Sequence, residues 1–189
     1  MSRQAGYNLI AGVDEAGRGP LAGPVVASAV IMPPKIKIPS VKDSKKMTAN
    51  AREKAFPIIT QKAISIGIGV ISPKYIDEHN ILQATLEAMR QAVMNLSIQP
   101  EFILVDGINM IPNHIPQRTL VKGDQLSHSI SVASVAAKVY RDRIMIAYDS
   151  LYPVYGFKAN KGYGTPQHLS ALRIFGESHI HRKTFKGVL

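Results

Sequence analysis

The pattern of apolar and polar positions along the chain predicts an α/β protein. Two apolar runs near the start, Leu9 to Val13 and Val25 to Met32, are typical of strands joined by a tight glycine-rich connection. Ile64 to Ile71 is rich in β-branched residues, which favour a strand. Phe102 to Val105 predicts a short buried strand, and Arg118 to Val121 is a candidate for another.

Helical segments alternate with these strands and follow them. The predicted helices run from Thr48 towards Lys62, from Ser72-Pro73, from a cap at Asn80, from Ser129 to Leu151, and from Thr165-Pro166 to about Phe175. Pro57 lies inside the first of these helices and should kink or end it. Strands that alternate with helices indicate a mixed β-sheet flanked by helices.

Length and composition favour a single soluble domain. The chain has 189 residues, of which 46% are hydrophobic, enough for one core, and we find no internal repeat. The expected organisation is one domain over residues 1–189, in which about 152–189 form a C-terminal extension. No window approaches the roughly 18 consecutive apolar residues of a membrane span, and the N-terminus lacks the apolar centre of a secretory signal, which predicts a cytoplasmic protein.

Cysteine content and charge narrow the chemistry. Without cysteine, the chain has no disulfide, thiolate zinc site or cysteine nucleophile, so any metal must be held by oxygen or imidazole. The formal net charge of +10 indicates a polyanionic partner such as nucleic acid, although an anionic membrane surface or mere solubility would also fit it. From Lys158 onwards there are six basic residues and one acid, as on a surface that contacts phosphates.

Four carboxylates stand apart from those on predicted helices. Asp14 and Glu15 end the first strand, Asp106 ends the FILV strand, and Asp124 lies in a turn before the long helix. A buried unpaired charge is costly, so a positive partner is expected, and oxygen ligands favour Mg²⁺ or Mn²⁺. Three or four such acids suit the paired ions that cleave phosphodiesters.

The adjacency of Asp14 and Glu15 raises a geometric difficulty. Neighbouring residues on a regular strand point to opposite faces, so a bulge or abrupt turn near the following glycines is expected to re-aim one side chain. The two acids could instead be a turn-forming pair. His179 and His181 form a weak metal signal, and a surface or phosphate-contact position is the favoured interpretation.

Three further segments have the composition of substrate contacts. Gly17, Arg18 and Gly19 could let the backbone approach a ribose or phosphate, or could form a structural turn; the spacing does not fit a dinucleotide fingerprint. Ser44, Lys45 and Lys46 suit phosphate contact or an ordinary solvated loop. Tyr163, between two glycines, could stack on a sugar or base or fill the edge of the core. The other late tyrosines, Tyr140, Tyr148, Tyr152 and Tyr155, are expected to be packing residues.

A set of motifs in a fixed order gives a more specific indication. GVDEAGRGPLAGPVVASAVI, DSKK, VDG, KGD, SVASVAAKVYRDR, YPVYGF, NKGYGT and HRKTF together resemble bacterial ribonuclease HII, a type 2 ribonuclease H, over Leu9 to Phe185. Ribonuclease HIII typically has a different glycine motif and an extra N-terminal domain. The resemblance implies a ribonuclease H-like fold with a helical C-terminal portion. It also implies an endonuclease that cuts the RNA strand of RNA–DNA hybrids and nicks 5′ of ribonucleotides in duplex DNA, leaving 5′-phosphate and 3′-hydroxyl ends.

The resemblance also implies a role for each matching residue. Asp14, Glu15, Asp106 and Asp124 would be the catalytic ligands of two Mg²⁺ or Mn²⁺ ions. The backbone of Gly17, Arg18 and Gly19, with Tyr163, would sense the 2′-hydroxyl, and Ser44, Lys45 and Lys46 would bind phosphate. Asp142 is assigned to helix structure, and a monomer is expected. A DNA nuclease of the same fold and a non-catalytic nucleic-acid-binding module stay open as alternatives.

Overall fold

The centre of the protein is a five-stranded mixed β-sheet. A computed structural model describes residues 6–41 and 47–188. The strands are β1 (Ile10–Ala16), β2 (Val25–Ile31), β3 (Ser65–Ile71), β4 (Phe102–Asp106) and β5 (Gln117–Leu120), in the spatial order β3-β2-β1-β4-β5. The predicted α/β class and mixed sheet are therefore confirmed.

The strand directions bring two of the singled-out acids to the same edge of the sheet. β1, β2 and β3 pair antiparallel, whereas β4 pairs parallel to β1 and β5 parallel to β4. Val13 of β1 stands beside Val105 of β4, so the next residues, Asp14 and Asp106, come at the same level. The carboxyl ends of these two neighbouring strands thus form one acidic edge.

Helices cover both faces of the sheet. They are α1 (Ala49–Lys62), α2 (Pro73–Met94), α3 (Gly123–Leu126), α4 (His128–Leu151), α5 (Phe157–Asn160) and α6 (Pro166–Phe175), with a 3₁₀ turn at Pro153–Tyr155. One core cluster joins the sheet to α2, and a second joins it to α1 and α4. Gly12 permits the close approach of α4, because a Cβ there would lie 2.2 Å from the Ser129 carbonyl carbon.

Local signals located most element boundaries, with one exception. Asn80 caps a helix as predicted: its φ of +69° interrupts α2, and its Oδ1 accepts the N–H groups of Leu82 and Gln83. Of the two effects expected of Pro57, a kink or an end, the end is wrong, since α1 continues to Lys62. Burial of Phe56 and Ile59 against α4 holds the turns on either side of the proline.

The C-terminal portion is helical and has a small core of its own. Its buried residues include Tyr155, Phe157, Leu172 and Ile180, which pack on Met145 of α4. The expectation that Tyr148, Tyr152 and Tyr155 are packing residues is confirmed, because all three belong to this cluster. Within the described ranges, no helix combines the length and apolar character needed to cross a bilayer.

Candidate active site

A cavity of about 700 Å³ opens at the acidic edge of the sheet. Asp14, Glu15 and Asp106 line it together with the glycine loop Gly17 to Gly19 and the ring of Tyr163. The basic side chains on its walls are those of Arg18, Arg52, Lys138, Arg141 and Lys161. The lining of the cavity therefore combines these three carboxylates with five basic side chains.

Asp14 is the most deeply buried of the three acids on this cavity. Only 4% of the residue is exposed, and its carboxylate accepts hydrogen bonds from the Ser134 hydroxyl and from the Glu15 backbone N–H, the latter at 2.7 Å. Burial, followed by the charge of Glu15, raises the pKa of Asp14 to about 8, although Lys138 opposes the shift. A carboxylate in this position gains stability from any additional positive charge.

Glu15 reaches the cavity from the other face of the sheet. Each residue from Ala11 to Ala16 has one partner in β2, so β1 contains no bulge. The other expected feature, an abrupt turn, follows the strand at Gly17, whose φ is +95°. Glu15 also lines a smaller cavity beside α2, whereas Asp14 faces α4. Both acids nevertheless line the main cavity. Burial raises the pKa of Glu15, and Arg18, 3.5 Å away, opposes this shift.

Asp106 connects this acidic edge to the short helix α3. Its Oδ1 accepts the Gly123 N–H at 2.6 Å, and its charge raises the pKa values of Asp14 and Glu15. Asp124, the next residue after Gly123, is 1% exposed and lines a separate small cavity with Lys37 and His128. The structure therefore brings three of the four predicted acids to one cavity. The fourth, Asp124, directly follows Gly123, whose N–H donates to Asp106.

The predicted substrate contacts fall into two groups. Gly17, Arg18, Gly19 and Tyr163 all line the cavity, and Tyr163 is 52% exposed, so it does not fill the edge of the core. Ser44, Lys45 and Lys46 lie outside the described residues. Asp142 forms an ion pair with Arg52 at 3.1 Å, in keeping with a structural role on α4.

Sequence reasoning missed two buried arginines that lie behind the glycine-rich segment. Arg141 and Arg182 are 2% and 0% exposed, and their guanidinium groups donate to backbone carbonyls of the segment from Gly17 to Pro24. Arginine in a charged stretch is usually a surface residue, so composition gave no signal for this. The signal available was position, since both lie in the motif blocks YRDR and HRKTF.

His181 also differs from the expected surface position. It is 2% exposed, and its Nε2 lies 2.9 Å from the Nε2 of His168, which is itself fully buried. Tyr155 and Phe157 pack against both rings. The surface interpretation is therefore wrong for His181, because the aromatic C-terminal cluster encloses it.

This histidine pair predicts a loss of stability in mild acid. Burial, followed by the charge of His168, lowers the pKa of His181 from 6.5 to about 4, while Glu177 opposes the shift weakly. The unfolded chain binds this proton more readily, so stability is complete above about pH 6.5 and falls as the pH drops towards 4. Urea unfolding of wild type and His181→Gln at several pH values tests this: the wild-type curve should fall more steeply over this window, and parallel curves would contradict it.

The fold and the cavity together define a class of enzyme. Acids at the carboxyl ends of neighbouring strands, beside a cation-lined cavity, are typical of hydrolases that cleave phosphodiesters with divalent metal ions. The family model for ribonuclease HII matches residues 11–188. The chain belongs to the ribonuclease HII family, whose members are metal-dependent hydrolases that cleave RNA in RNA–DNA hybrids.

Individual relatives agree with this assignment. The chain is 54% identical over 186 residues to the ribonuclease HII of Geotalea uraniireducens, covering 98% of this chain and 86% of the relative. The crystal structure of ribonuclease H2 from Pyrococcus horikoshii superimposes with a TM-score of 0.82 at 28% identity, covering 95% of this chain and 94% of the other. Bst-RNase HIII in complex with Mn²⁺ shares the fold, with a TM-score of 0.73 at 17% identity over 99% of this chain and 70% of the other.

Proposed function

We propose that this enzyme cuts the RNA strand of RNA–DNA hybrids and nicks duplex DNA 5′ of an embedded ribonucleotide. Cleavage there would leave 5′-phosphate and 3′-hydroxyl ends. The single observation that carries the proposal is the cavity in which Asp14, Glu15 and Asp106 face a glycine loop and an exposed tyrosine. Acids alone suit any metal-dependent nuclease, whereas a backbone loop and an aromatic ring beside them suit recognition of a sugar.

The donor set fits divalent metal ions. Asp14 and Glu15 are buried carboxylates whose pKa values are raised by burial and by neighbouring acids, so cations are needed to keep them ionised together. Carboxylate oxygens favour Mg²⁺ or Mn²⁺, and Mn²⁺ accompanies the structurally similar RNase HIII. Within residues 6–41 and 47–188, no three acids or imidazoles are arranged as a ready-made metal site.

We assign Asp14, Glu15, Asp106 and Asp124 as the ligands of two such ions. When bound, these ions would activate the attacking water and stabilise the leaving oxygen. Asp106 accepts the Gly123 N–H at the start of α3, and Asp124 is the next residue of that helix. Asp124 itself lines a separate small cavity, so its place among the ligands rests on the family resemblance.

The remaining residues of the cavity would hold and select the substrate. The backbone N–H groups of Gly17, Arg18 and Gly19 approach the 2′-hydroxyl, and Tyr163 stacks on the sugar next to the cut. Ser44, Lys45 and Lys46 contact backbone phosphate. Residues 152–189, which carry much of the positive charge, form the substrate-binding extension of a single domain over residues 1–189, and we expect a cytoplasmic monomer.

A duplex carrying one ribonucleotide tests the proposed function. The purified chain is incubated with this duplex, an all-DNA duplex and an RNA–DNA hybrid, with Mg²⁺, Mn²⁺ or a chelator. We expect cuts on the 5′ side of the ribonucleotide and within the hybrid RNA only when a divalent ion is present. Equal cleavage of the all-DNA duplex would identify a DNA nuclease. Binding of the duplexes without cleavage, unchanged by the chelator, would identify a binding module.

Replacing Tyr163 separates sugar recognition from general affinity. Tyr163→Ala should lower kcat/KM at a single ribonucleotide by about 10-fold or more, because one base or sugar stack is worth about 1–3 kcal/mol. Since the side chain is exposed, folding should be unaffected. Affinity for all-DNA duplex, measured by fluorescence anisotropy, serves as the reference, and equal losses in the two measurements would argue against a role at the sugar.

A further inference from the structure

Six backbone carbonyls in the segment from Gly17 to Pro24, which contains the glycine loop, face the interior of the protein. Those of Gly17, Arg18, Ala22, Gly23 and Pro24 accept side-chain hydrogen bonds from Arg141 or Arg182, and that of Leu21 accepts the Arg182 backbone N–H. The loop is thus held from behind by two buried guanidinium groups. Arg141 also donates to the carbonyl of Lys161, beside the glycines that flank Tyr163.

Arg182 makes the two bonds that matter for the substrate side of the loop. Its Nη2 donates to the Gly17 carbonyl at 2.6 Å, and its Nη1 donates to the Arg18 carbonyl at 3.0 Å. Its Nε and Nη2 also bind the Gly23 carbonyl, at 3.0 and 2.9 Å. The guanidinium stacks on the ring of Phe185, 5.0 Å from its centroid, which fixes the plane of the donors.

Because each peptide group is planar, these hydrogen bonds also fix the direction of two N–H groups. In a trans peptide the carbonyl of one residue and the N–H of the next point in opposite directions. The chain has no cis peptide in its described part. Because the carbonyls of Gly17 and Arg18 point at Arg182, the N–H groups of Arg18 and Gly19 point away from it, on the side where these residues line the cavity.

Among the described residues, neither of these N–H groups has an acceptor. The backbone and side-chain hydrogen bonds of residues 6–41 and 47–188 include no bond donated by the Arg18 or Gly19 N–H. Two successive N–H donors aimed at the same side form a concave anion- and oxygen-binding feature. A cation on the carbonyl of each peptide also polarises that peptide, which strengthens the N–H at its other end.

We propose that Arg182 is the positioning residue that aims and polarises the Arg18 and Gly19 N–H groups towards the 2′-oxygen of the ribonucleotide. The proposal rests on the function proposed above and adds the residue that sets its selectivity. Arg182 does not line the cavity, so it acts through the loop. Burying a guanidinium costs more free energy of desolvation than burying an apolar side chain of similar volume. A role in aiming the loop would explain why an arginine stands at this position.

The conservative variant Arg182→Lys tests the proposal. A lysine retains the charge but, as a point donor, cannot hold the Gly17 and Arg18 carbonyls in the plane of a guanidinium. We expect kcat/KM on a single-ribonucleotide duplex to fall on the order of 10- to 100-fold, mainly in kcat. Affinity for an all-DNA duplex should stay within about a factor of two, and the amide NMR signals of Arg18 and Gly19 should shift.

Tyr155→Phe is the matched control. It removes one hydrogen bond, from the Tyr155 hydroxyl to the Gly176 carbonyl, in the same C-terminal cluster but away from the glycine loop. It should lower the melting temperature without shifting the Arg18 and Gly19 amides or the kcat on the ribonucleotide. If both variants reduce activity only in proportion to their loss of folded protein, Arg182 is structural and the proposal is overturned.

A second variant covers the case in which Arg182→Lys does not fold. Phe185→Leu removes the ring under the guanidinium and keeps all its donors, so a smaller loss of kcat in the same direction supports the proposal, and unchanged kcat and amide signals overturn it. The two proposals fail differently. If wild type cleaves all-DNA duplex as well as the ribonucleotide duplex, the proposed function fails; if wild type requires the ribonucleotide and Arg182→Lys keeps full kcat/KM, only this inference fails.

Discussion

Replacing Asp106 with asparagine should lower the cleavage rate about 1000-fold while the fold is retained, because loss of a metal-binding oxygen removes several kcal/mol of transition-state stabilisation. The asparagine side chain still offers an oxygen to the Gly123 N–H, which Asp106 now binds at 2.6 Å. Removing the charge also relieves the repulsion that raises the pKa values of Asp14 and Glu15. Thermal stability should therefore be equal to or above that of wild type.

The matched control for this variant is Asp149→Asn. Asp149 also accepts a backbone N–H, that of Lys158 at 2.9 Å, and does not line the cavity. Initial rates on a single-ribonucleotide duplex, compared with duplex affinity by anisotropy, separate catalysis from binding. Comparable turnover in Asp106→Asn and wild type would remove Asp106 from the metal-binding set.

Gly17→Ala should lose both stability and activity. Gly17 has a φ of +95°, and a Cβ there would lie 2.0 Å from the Arg141 Nε, which is buried and donates to the Pro24 carbonyl. Backbone strain at such a φ costs about 1–3 kcal/mol, and overpacking costs about 1–3 kcal/mol more. Chemical unfolding measures the loss, and the activity of the folded fraction should fall because the Arg18 N–H is turned away.

Two other glycines separate the causes of this effect. Gly176→Ala has the same unfavourable sign of φ, +73°, but nothing within 4 Å of the new methyl group, so it should show the strain alone. Gly19→Ala has only the Tyr163 ring nearby, at 3.8 Å, so it should fold normally yet lose ribonucleotide cleavage, since the methyl group enters the space proposed for the sugar. Full activity in Gly19→Ala would show that the substrate does not approach this backbone.

Local sequence signals were sufficient for the five strands and the longer helices, and for singling out the acids, but not for the short helices α3 and α5. Four predicted helix caps are confirmed: Thr48, Ser72, Asn80 and Thr165. Each side-chain oxygen accepts a backbone N–H two or three residues later, so this interaction depends only on nearby sequence. Likewise, Asp14 and Asp106 were recognised as strand-end acids from the apolar runs before them. The parallel pairing of β1 with β4, which sets them side by side, was not visible in either run.

The errors have a common origin in long-range packing. No bulge re-aims Asp14 or Glu15, since β1 pairs residue by residue with β2, yet both acids line the main cavity. Helix α1 continues through Pro57 because its buried side lies on α4. His181, taken for a surface residue, is enclosed by aromatic rings from segments up to 26 residues earlier in the chain.

By itself the sequence determined the α/β class, the helix caps and the identity of the acidic and glycine-rich motifs, since these depend on neighbours along the chain. Only the tertiary structure decided which acids share a cavity, and that the carbonyls of the glycine loop are held by Arg182, a residue 165 positions away. The physical reason is that a buried charge must find its partners wherever the fold brings backbone oxygens together. The pattern and spacing of residues along the chain do not show which distant oxygens these partners are.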